Sequence, residues 1–99
     1  MSYNLQLTEE AEADILQAFL WYESKRECLG GDFLLNVKAI IKNIQRDSRM
    51  FPTVYNQKKR ALVHRFPNAI FLEIHDQDIW VLAVMHTSRS PMTWKKRKV

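Results

Sequence analysis

The stretch AIFLEIHDQDIWVLAVMH, residues 69–86, decides the fold that the sequence predicts. Ile70, Leu72 and Ile74 alternate with Phe71, Glu73 and His75, which is typical of a strand with one face towards a core. The polar turn Asp76-Gln77-Asp78 leads into Ile79 to His86, which is apolar on both faces. This second strand is therefore predicted to be central in a sheet that is covered on both sides.

Two further strands are predicted from the residues before this pair. Arg60 to Phe66 has a strand-like pattern and is closed by Pro67-Asn68, a pair typical of turns. At the start of the chain, Tyr3 to Leu7 alternates between apolar and polar side chains, which predicts a short half-buried strand.

The intervening residues predict two helices. Thr8 is a candidate N-cap for a helix that runs to about Glu27, and Gly30-Gly31 suits the turn that follows it. Asp32 is a candidate cap for the second helix. The apolar stripe of that helix consists of residues 33, 37, 40, 41 and 44, and the helix should end near Asp47-Ser48, before a loop at Pro52.

The element order is β-α-α-β-β-β, which predicts an α+β domain with a helical hairpin packed on one face of a small twisted antiparallel sheet. At 99 residues the chain has room for one core only, so residues 1–99 form a single domain. A helical hairpin covers one face of a sheet. Phe71, Glu73 and His75 are therefore expected on the opposite, open face.

Charge is divided unevenly along the chain. Residues 1–48 carry a net charge of −3, and residues 49–99 carry a net charge of +7. This segregation predicts an anionic partner for the second half, either a phosphate backbone or an acidic protein segment. The alternative is a solvated surface that is basic by chance.

Composition favours a cytoplasmic, soluble protein. No apolar run is long enough to cross a bilayer, and the first residues lack the pattern of a signal peptide. The single cysteine, Cys28, excludes an internal disulfide and fits a reducing compartment. Because Cys28 is predicted at a helix C-terminus, where the dipole disfavours a thiolate, we expect it to be inert.

Metal and cofactor chemistry are not expected. His64, His75 and His86 are predicted one to a strand without the spacing of metal ligands, although convergence across strands is conceivable. Metal-free RNA cleavage fits the residues better, because it needs cations for the phosphate and groups that transfer protons. Candidates for the phosphate are Arg60, Arg65 and Arg89, and candidates for proton transfer are His86 and Glu73. Alternatively, His86 is a structural residue at the end of a strand.

The basic tail Trp94-Lys95-Lys96-Arg97-Lys98 allows two interpretations. It could contact nucleic acid through charge and one stacking ring. Alternatively, Trp94 docks back on the core and leaves a solvated end, which is the interpretation that we favour for the tryptophan.

Several motifs in order resemble the RelE/ParE superfamily, the toxins of bacterial type II toxin–antitoxin and plasmid-stabilisation modules. They are Ala13-Asp14-Ile15, Trp21-Tyr22-Glu23, Leu29-Gly30 with Phe33, Arg60-Ala61-Leu62 to Arg65-Phe66-Pro67, and His86-x-x-Arg89-x-Pro91-x-x-Trp94-x-x-Arg97. The likeness spans nearly the whole chain. Asn68 and Leu72 depart from the pattern, since many members have an aromatic residue and a tyrosine at these positions.

The resemblance implies a toxin that a cognate antitoxin neutralises by covering its basic groove, in a toxin–antitoxin hetero-oligomer. RelE-like members cut mRNA on the ribosome, whereas ParE-like members inhibit DNA gyrase without catalysis, and a shared fold does not choose between them. For a RelE-like ribonuclease, the catalytic residues are His86, Arg65 and Arg89, and the substrate-binding residues are Arg60, Glu73 and Arg97. The arginines and the histidine in the basic half lead us to favour the ribonuclease. A third possibility is a degenerate member that retains only antitoxin binding or DNA repression.

Overall fold

The computed structural model describes residues 4–99 of the chain, so Tyr3 of the first predicted strand lies outside the described residues. The elements are β1 (Asn4–Leu7), α1 (Glu9–Lys25), α2 (Leu29–Arg46), a short 3-10 helix (Ser48–Met50), β2 (Thr53–Tyr55), β3 (Lys58–Leu62), β4 (Asn68–His75), β5 (Asp78–His86) and α3 (Pro91–Lys95). The predicted α+β class, with a helical hairpin followed by the main strands of the sheet, is confirmed.

The sheet has five strands in the order β1-β5-β4-β3-β2. Its three main strands pair antiparallel as predicted, but β1 pairs with β5 in parallel, so the sheet is mixed. The strand β2 was not predicted. Pro52 indicates a loop, and three residues are too few to show the alternation of a strand. Strand β3 begins at Lys58 and ends at Leu62, earlier at both ends than predicted. His64 therefore lies in the loop after β3 and not in a strand.

The turn between α1 and α2 differs from the prediction. It comprises residues 26–28, and Gly30, Gly31 and Asp32 all belong to the first turn of α2. Gly30 is needed for close packing: a Cβ at this position would lie 2.7 Å from the carbonyl oxygen of Phe19. Within this turn, Cys28 at the N-cap of α2 has a left-handed conformation, at φ 70°.

Glu23 provides the cap that was assigned to Asp32. Its carboxylate accepts hydrogen bonds from the backbone N–H groups of Cys28 (3.0 Å) and Gly30 (2.9 Å) at the start of α2. A carboxylate at this end is favoured by unpaired N–H groups and by the helix dipole. Cys28 is exposed and precedes a helix N-terminus, so its predicted position at a helix C-terminus was wrong.

Apolar clusters lie on both faces of the sheet. The main core lies between the helices and one face, and it includes Phe33, Ile44, Ile70, Leu72 and Val81. The opposite face carries a smaller cluster of Ala69, Phe71, Ala83, Met85 and Trp94, with Val54 packed against it. The prediction that Phe71 shares the face opposite the helices is confirmed, but α3 covers part of that face.

A β-bulge reverses the side-chain alternation of β5. Phe71 pairs with Ala83 and Leu72 pairs with Val81, so Leu82 is the extra residue. Val81 therefore packs in the main core, Ala83 lies on the opposite face, and Val84 is again in the main core. His86 lies two residues after Val84, so it is on the same side of the sheet as Val84, which is the side of the helices, at the end of β5.

None of the helices in residues 4–99 combines the length and the apolar character that a membrane span requires.

Candidate interaction site at the end of the sheet

The outer edge of β5 is only half covered by β1. The parallel pairing ends at Leu7 and Val81, and α1 then leaves the sheet. Beyond that point side chains satisfy the backbone: the N–H of Val84 donates to Asp14 Oδ2 (3.0 Å), and Arg97 Nη1 donates to the carbonyl oxygen of Leu82 (3.1 Å). Unpaired edge groups are thus covered by a carboxylate and a guanidinium.

Arg97 is held by an ion pair with Asp14, and its Nε also lies 3.5 Å from Glu10 Oε2. Both side chains of the Asp14–Arg97 pair are 14% exposed. The pair joins the first and last motifs of the resemblance across the fold. Arg97 was predicted to bind substrate, and the structure shows its guanidinium engaged with α1 and the edge of β5.

A cavity of about 280 Å³ opens beside this edge, between α1 and the paired ends of β4 and β5. Its lining consists of Asp14, Gln17, Ala18, Trp21, Tyr22, Asn68, Val84, Met85, His86 and Arg89. Two of the predicted catalytic residues, His86 and Arg89, therefore line one cavity, together with apolar and aromatic side chains from α1.

Asn68, in the floor of this cavity, is oriented by Tyr22. The Tyr22 hydroxyl donates to Asn68 Oδ1, and burial raises the pKa of Tyr22, so the tyrosine remains a protonated donor at neutral pH. Asn68 is 4% exposed, and its amide Nδ2 forms no hydrogen bond to any residue in the described range 4–99. This donor lines the cavity and is therefore available to an acceptor there.

His86 is held in one tautomer by the turn that follows β5. The backbone N–H of Ser88 donates to His86 Nδ1 (3.0 Å), and the Ser88 hydroxyl lies 2.7 Å from the same atom. A backbone N–H can only donate, so Nδ1 is an acceptor and the proton of the neutral ring is on Nε2. In this arrangement His86 can donate a hydrogen bond through Nε2, but it has no second free nitrogen with which to accept a proton.

Arg65 and Arg89 lie in two loops that meet at this end of the sheet. Arg65, at φ 70°, belongs to the β3–β4 loop, and Arg89 follows β5. The N–H of Thr87 donates to the carbonyl oxygen of Pro67 (2.8 Å), which ties the loops together. The structure thus brings three of the predicted site residues, Arg65, His86 and Arg89, to the same end of the sheet, with all three side chains exposed.

Glu73 and Arg60 belong to a different region, on the face opposite the helices. Glu73 Oε2 accepts from Lys58 Nζ (2.9 Å), and Glu73 Oε1 lies 2.9 Å from His75 Nε2. Burial alone would raise the pKa of Glu73, but the hydrogen bonds and charges of Lys58 and His75 outweigh it and hold the pKa below its usual value. Arg60 is exposed and pairs across the strands with Phe71.

Trp94 docks on this opposite face, as favoured from the sequence. Its ring stacks on Phe71 with centroids 4.1 Å apart, and 9% of the residue is exposed. Tyr55 makes an edge contact with Trp94, and Lys95 Nζ lies 4.7 Å from the centre of the Tyr55 ring. The indole of Trp94 is therefore packed and not presented for stacking with a base.

The sequence interpretation missed the roles of Trp21-Tyr22-Glu23 in the site. Trp21 forms one wall of the cavity, Tyr22 orients Asn68, and Glu23 caps α2. The resemblance had marked the triplet, and the polar side-chain atoms of Tyr22 and Glu23 within an amphipathic helix were a signal that these two residues had partners. The partners lie up to 46 residues away, and periodicity does not indicate them.

Within residues 4–99 there is no group of three or more His, Cys, Asp or Glu side chains that could hold a metal ion.

No protein-family model matches the sequence, and no curated protein matches it. Among solved structures, a chain of the "Chromosomal ParDE TA system from P. aeruginosa" has the same fold, with a TM-score of 0.77 and 15% identity. The alignment covers 86% of this chain and 96% of that chain. The fold that the resemblance implied is therefore confirmed.

Proposed function

We propose that this chain is the toxin of a type II toxin–antitoxin module and that it arrests growth by binding a protein target. The resemblance to ParE-like toxins implies that this target is DNA gyrase. The proposal implies that the protein acts in the cytoplasm, because both gyrase and the ribosome are intracellular. It departs from the preference for a ribonuclease that the sequence alone suggested.

The observation that carries this choice is the state of the proton-transfer groups. Metal-free RNA cleavage needs one group to accept the 2′-hydroxyl proton and another to protonate the leaving oxygen. His86 Nδ1 is already an acceptor for Ser88, and Glu73 is buried in an ion pair with Lys58 on the other face of the sheet. These two candidates do not face a common substrate position, whereas an exposed surface of arginines suits protein binding.

An antitoxin is the second partner that we propose. The chain segment 49–99 has a net charge of +7, and it contains the exposed Arg60, Arg65 and Arg89. An acidic segment that folds on binding would neutralise this surface and gain from electrostatic steering. The fold shared with a chain of a ParDE toxin–antitoxin system supports this assignment.

One observation favours ribosome-dependent mRNA cleavage as a second candidate function. Arg65, His86 and Arg89 meet at one end of the sheet, where two cations could bind a scissile phosphate. In that case His86 must give up its bond from Ser88 to transfer a proton. Arg60 and Glu73 would then bind RNA on the opposite face, and Arg97 would support the fold through Asp14.

Parallel pulse-labelling of DNA and protein synthesis after induction of the chain tests the two functions. Gyrase inhibition predicts that DNA synthesis falls first and that purified protein stalls gyrase supercoiling. Early loss of protein synthesis, with cleaved mRNA and intact supercoiling, refutes our choice and supports the ribonuclease. If induction alone leaves growth and both syntheses unchanged, the toxin assignment itself is wrong.

Variants sharpen this test. His86→Gln retains a hydrogen-bond donor at the cavity but cannot transfer a proton, so a ribonuclease should lose growth arrest completely, whereas a protein that acts by binding should lose growth arrest only as far as it loses affinity for its target. Arg49→Ala is the matched control for arginine replacements, because Arg49 is exposed in the short 3-10 helix, outside the residues that line the cavity. Binding of the protein encoded beside the gene should be measured for each variant to separate target effects from antitoxin effects.

A further inference from the structure

We propose that the cavity between α1 and the ends of β4 and β5 binds a carboxylate side chain carried next to a bulky apolar side chain in a peptide segment of a partner protein. The proposal rests on the proposed function in one respect, namely that a protein partner supplies the segment. The cavity volume of about 280 Å³ is close to the lower end of ligand pockets, roughly 300–1,000 Å³, and suits side chains of a peptide.

The floor of the cavity provides an oriented donor. Asn68 is almost fully buried, its Oδ1 accepts from Tyr22, and its Nδ2 has no partner among residues 4–99. This donor is accessible from the cavity, and a ligand oxygen at this position would accept a hydrogen bond from it. The amide therefore favours a ligand that accepts hydrogen bonds.

The rim adds two more donors and positive charge. Because Ser88 fixes the tautomer of His86, Nε2 of that ring carries a proton. Arg89 lines the same cavity, and no described carboxylate lies within ion-pair distance of its guanidinium. An amide, an imidazole and a guanidinium therefore all offer hydrogen-bond donors to the same cavity. A ligand that can accept from all three is an anion.

The walls require an apolar neighbour for that anion. Trp21 is 57% exposed, and Ala18, Val84 and Met85 complete the apolar lining. A half-exposed indole beside donors is typical of a contact that becomes buried on binding. A leucine-sized side chain adjacent to the carboxylate would cover this indole.

The lining favours a carboxylate over a phosphate. Asp14 is part of the wall, and its charge is offset by one ion pair with Arg97. A phosphate monoester carries nearly two negative charges at neutral pH and would be repelled more strongly than a carboxylate. The apolar walls add a desolvation cost that also rises with charge.

Titration of the full-length chain with acetyl-leucyl-glutamyl-leucine amide tests the proposal by ¹H–¹⁵N correlation NMR. We expect a dissociation constant of about 1 mM, which is reasonable for a short flexible peptide. The matched glutamine peptide should bind at least about tenfold more weakly, a loss equal to about 1.4 kcal/mol. Shift changes should centre on the Trp21 indole N–H, the Asn68 side-chain amide and Arg89.

Three variants locate the binding. Asn68→Asp retains the acceptor for Tyr22 but replaces the Nδ2 donor with a carboxylate oxygen, so binding of the glutamyl peptide should fall about tenfold or more. Arg89→Gln should weaken it about fivefold, and Arg49→Gln, an exposed change outside the cavity, should leave it within about twofold. The correlation spectrum of each variant also reports whether it is folded, and Arg89→Gln keeps the test valid if Asn68→Asp unfolds.

Specific outcomes overturn the proposal. They are equal affinity for the glutamyl and glutaminyl peptides, shift changes away from the cavity, or tighter binding of uridine 5′-monophosphate than of the glutamyl peptide. The result is separable from the proposed function. If growth arrest occurs but the cavity does not bind the peptide, this proposal alone fails; if the cavity binds the peptide but growth continues, the toxin assignment alone fails.

Discussion

Replacement of Arg97 by alanine should destabilise the protein by about 3 kcal/mol. The change leaves the Asp14 carboxylate, 14% exposed, without its ion partner, and breaking such a buried pair costs about 3–5 kcal/mol. It also removes the donor to the carbonyl oxygen of Leu82, a loss of about 1 kcal/mol. Because both side chains are partly exposed and the N–H of Val84 still donates to Asp14, we expect loss of the ion pair to cost about 2 kcal/mol, which brings the total to about 3 kcal/mol.

Urea unfolding followed by far-UV circular dichroism measures the effect. For a domain of this length a loss of 3 kcal/mol corresponds to a decrease in Tm of roughly 12 °C or more, which a thermal scan would show independently. A double-mutant cycle with Asp14→Ala should give a coupling energy of about 2 kcal/mol, because each side chain is left unpaired in one single variant.

Arg26→Ala is the matched control for this prediction. Arg26 forms an ion pair with Asp32 at 3.8 Å, but their side chains are 63% and 42% exposed, so its loss should cost less than about 1 kcal/mol. If Arg97→Ala destabilises the protein no more than Arg26→Ala, or if the effects of the Arg97 and Asp14 changes are additive, then the Asp14–Arg97 pair at the edge of β5 does not stabilise the fold.

Three further perturbations test other parts of the structure. Gly30→Ala should lower the free energy of unfolding by about 2 kcal/mol because the new Cβ would clash with Phe19. Gly31→Ala should raise it by up to about 1 kcal/mol, because a Cβ there would meet no atom within 4 Å and alanine favours a helix. If urea unfolding showed changes of the same sign for both variants, the packing argument would be wrong. The pKa of Glu73 is lowered in the folded state, so its contribution to stability is present above the unfolded pKa near 4.5 and is lost as pH falls through the folded pKa. Glu73→Gln should therefore flatten the acid limb of a curve of Tm against pH. An unchanged acid limb would count against a stabilising ion pair. Long-range ¹⁵N–¹H NMR of neutral His86 should show the proton on Nε2, and a proton on Nδ1 would exclude the bond from the Ser88 N–H.

The helical hairpin and the main hairpin of the sheet could be predicted because their signals are local. The stripe that includes Phe33 and Ile44 requires a helix with one buried face, and the alternation of Ile70 and Leu72 requires a strand. Errors fell where the signal is weak. At the helix turn, Gly30 is required for close packing against Phe19, although a glycine pair before a new helix usually indicates a turn.

The candidate site was predicted in part. The basic half of the chain identified Arg65, His86 and Arg89, which do lie at one end of the sheet. Arg97 was grouped with them through the resemblance, and Glu73 was a candidate for proton transfer, but each is engaged in an ion pair elsewhere in the fold. Charge in a sequence does not distinguish a side chain that binds a partner from one that stabilises the fold.

By itself, the sequence determined the types of the main helices and strands, the two amphipathic faces and the concentration of positive charge in the second half, because periodicity and composition are properties of neighbouring residues. Only the tertiary structure decided the parallel pairing of β1, the bulge at Leu82 and the side of the sheet on which His86 lies. These features depend on residues far apart, such as Asp14 with Val84, 70 positions later, and with Arg97, 83 positions later. Such contacts form only when the register of the strands and the packing of α1 satisfy the backbone groups of β5 together.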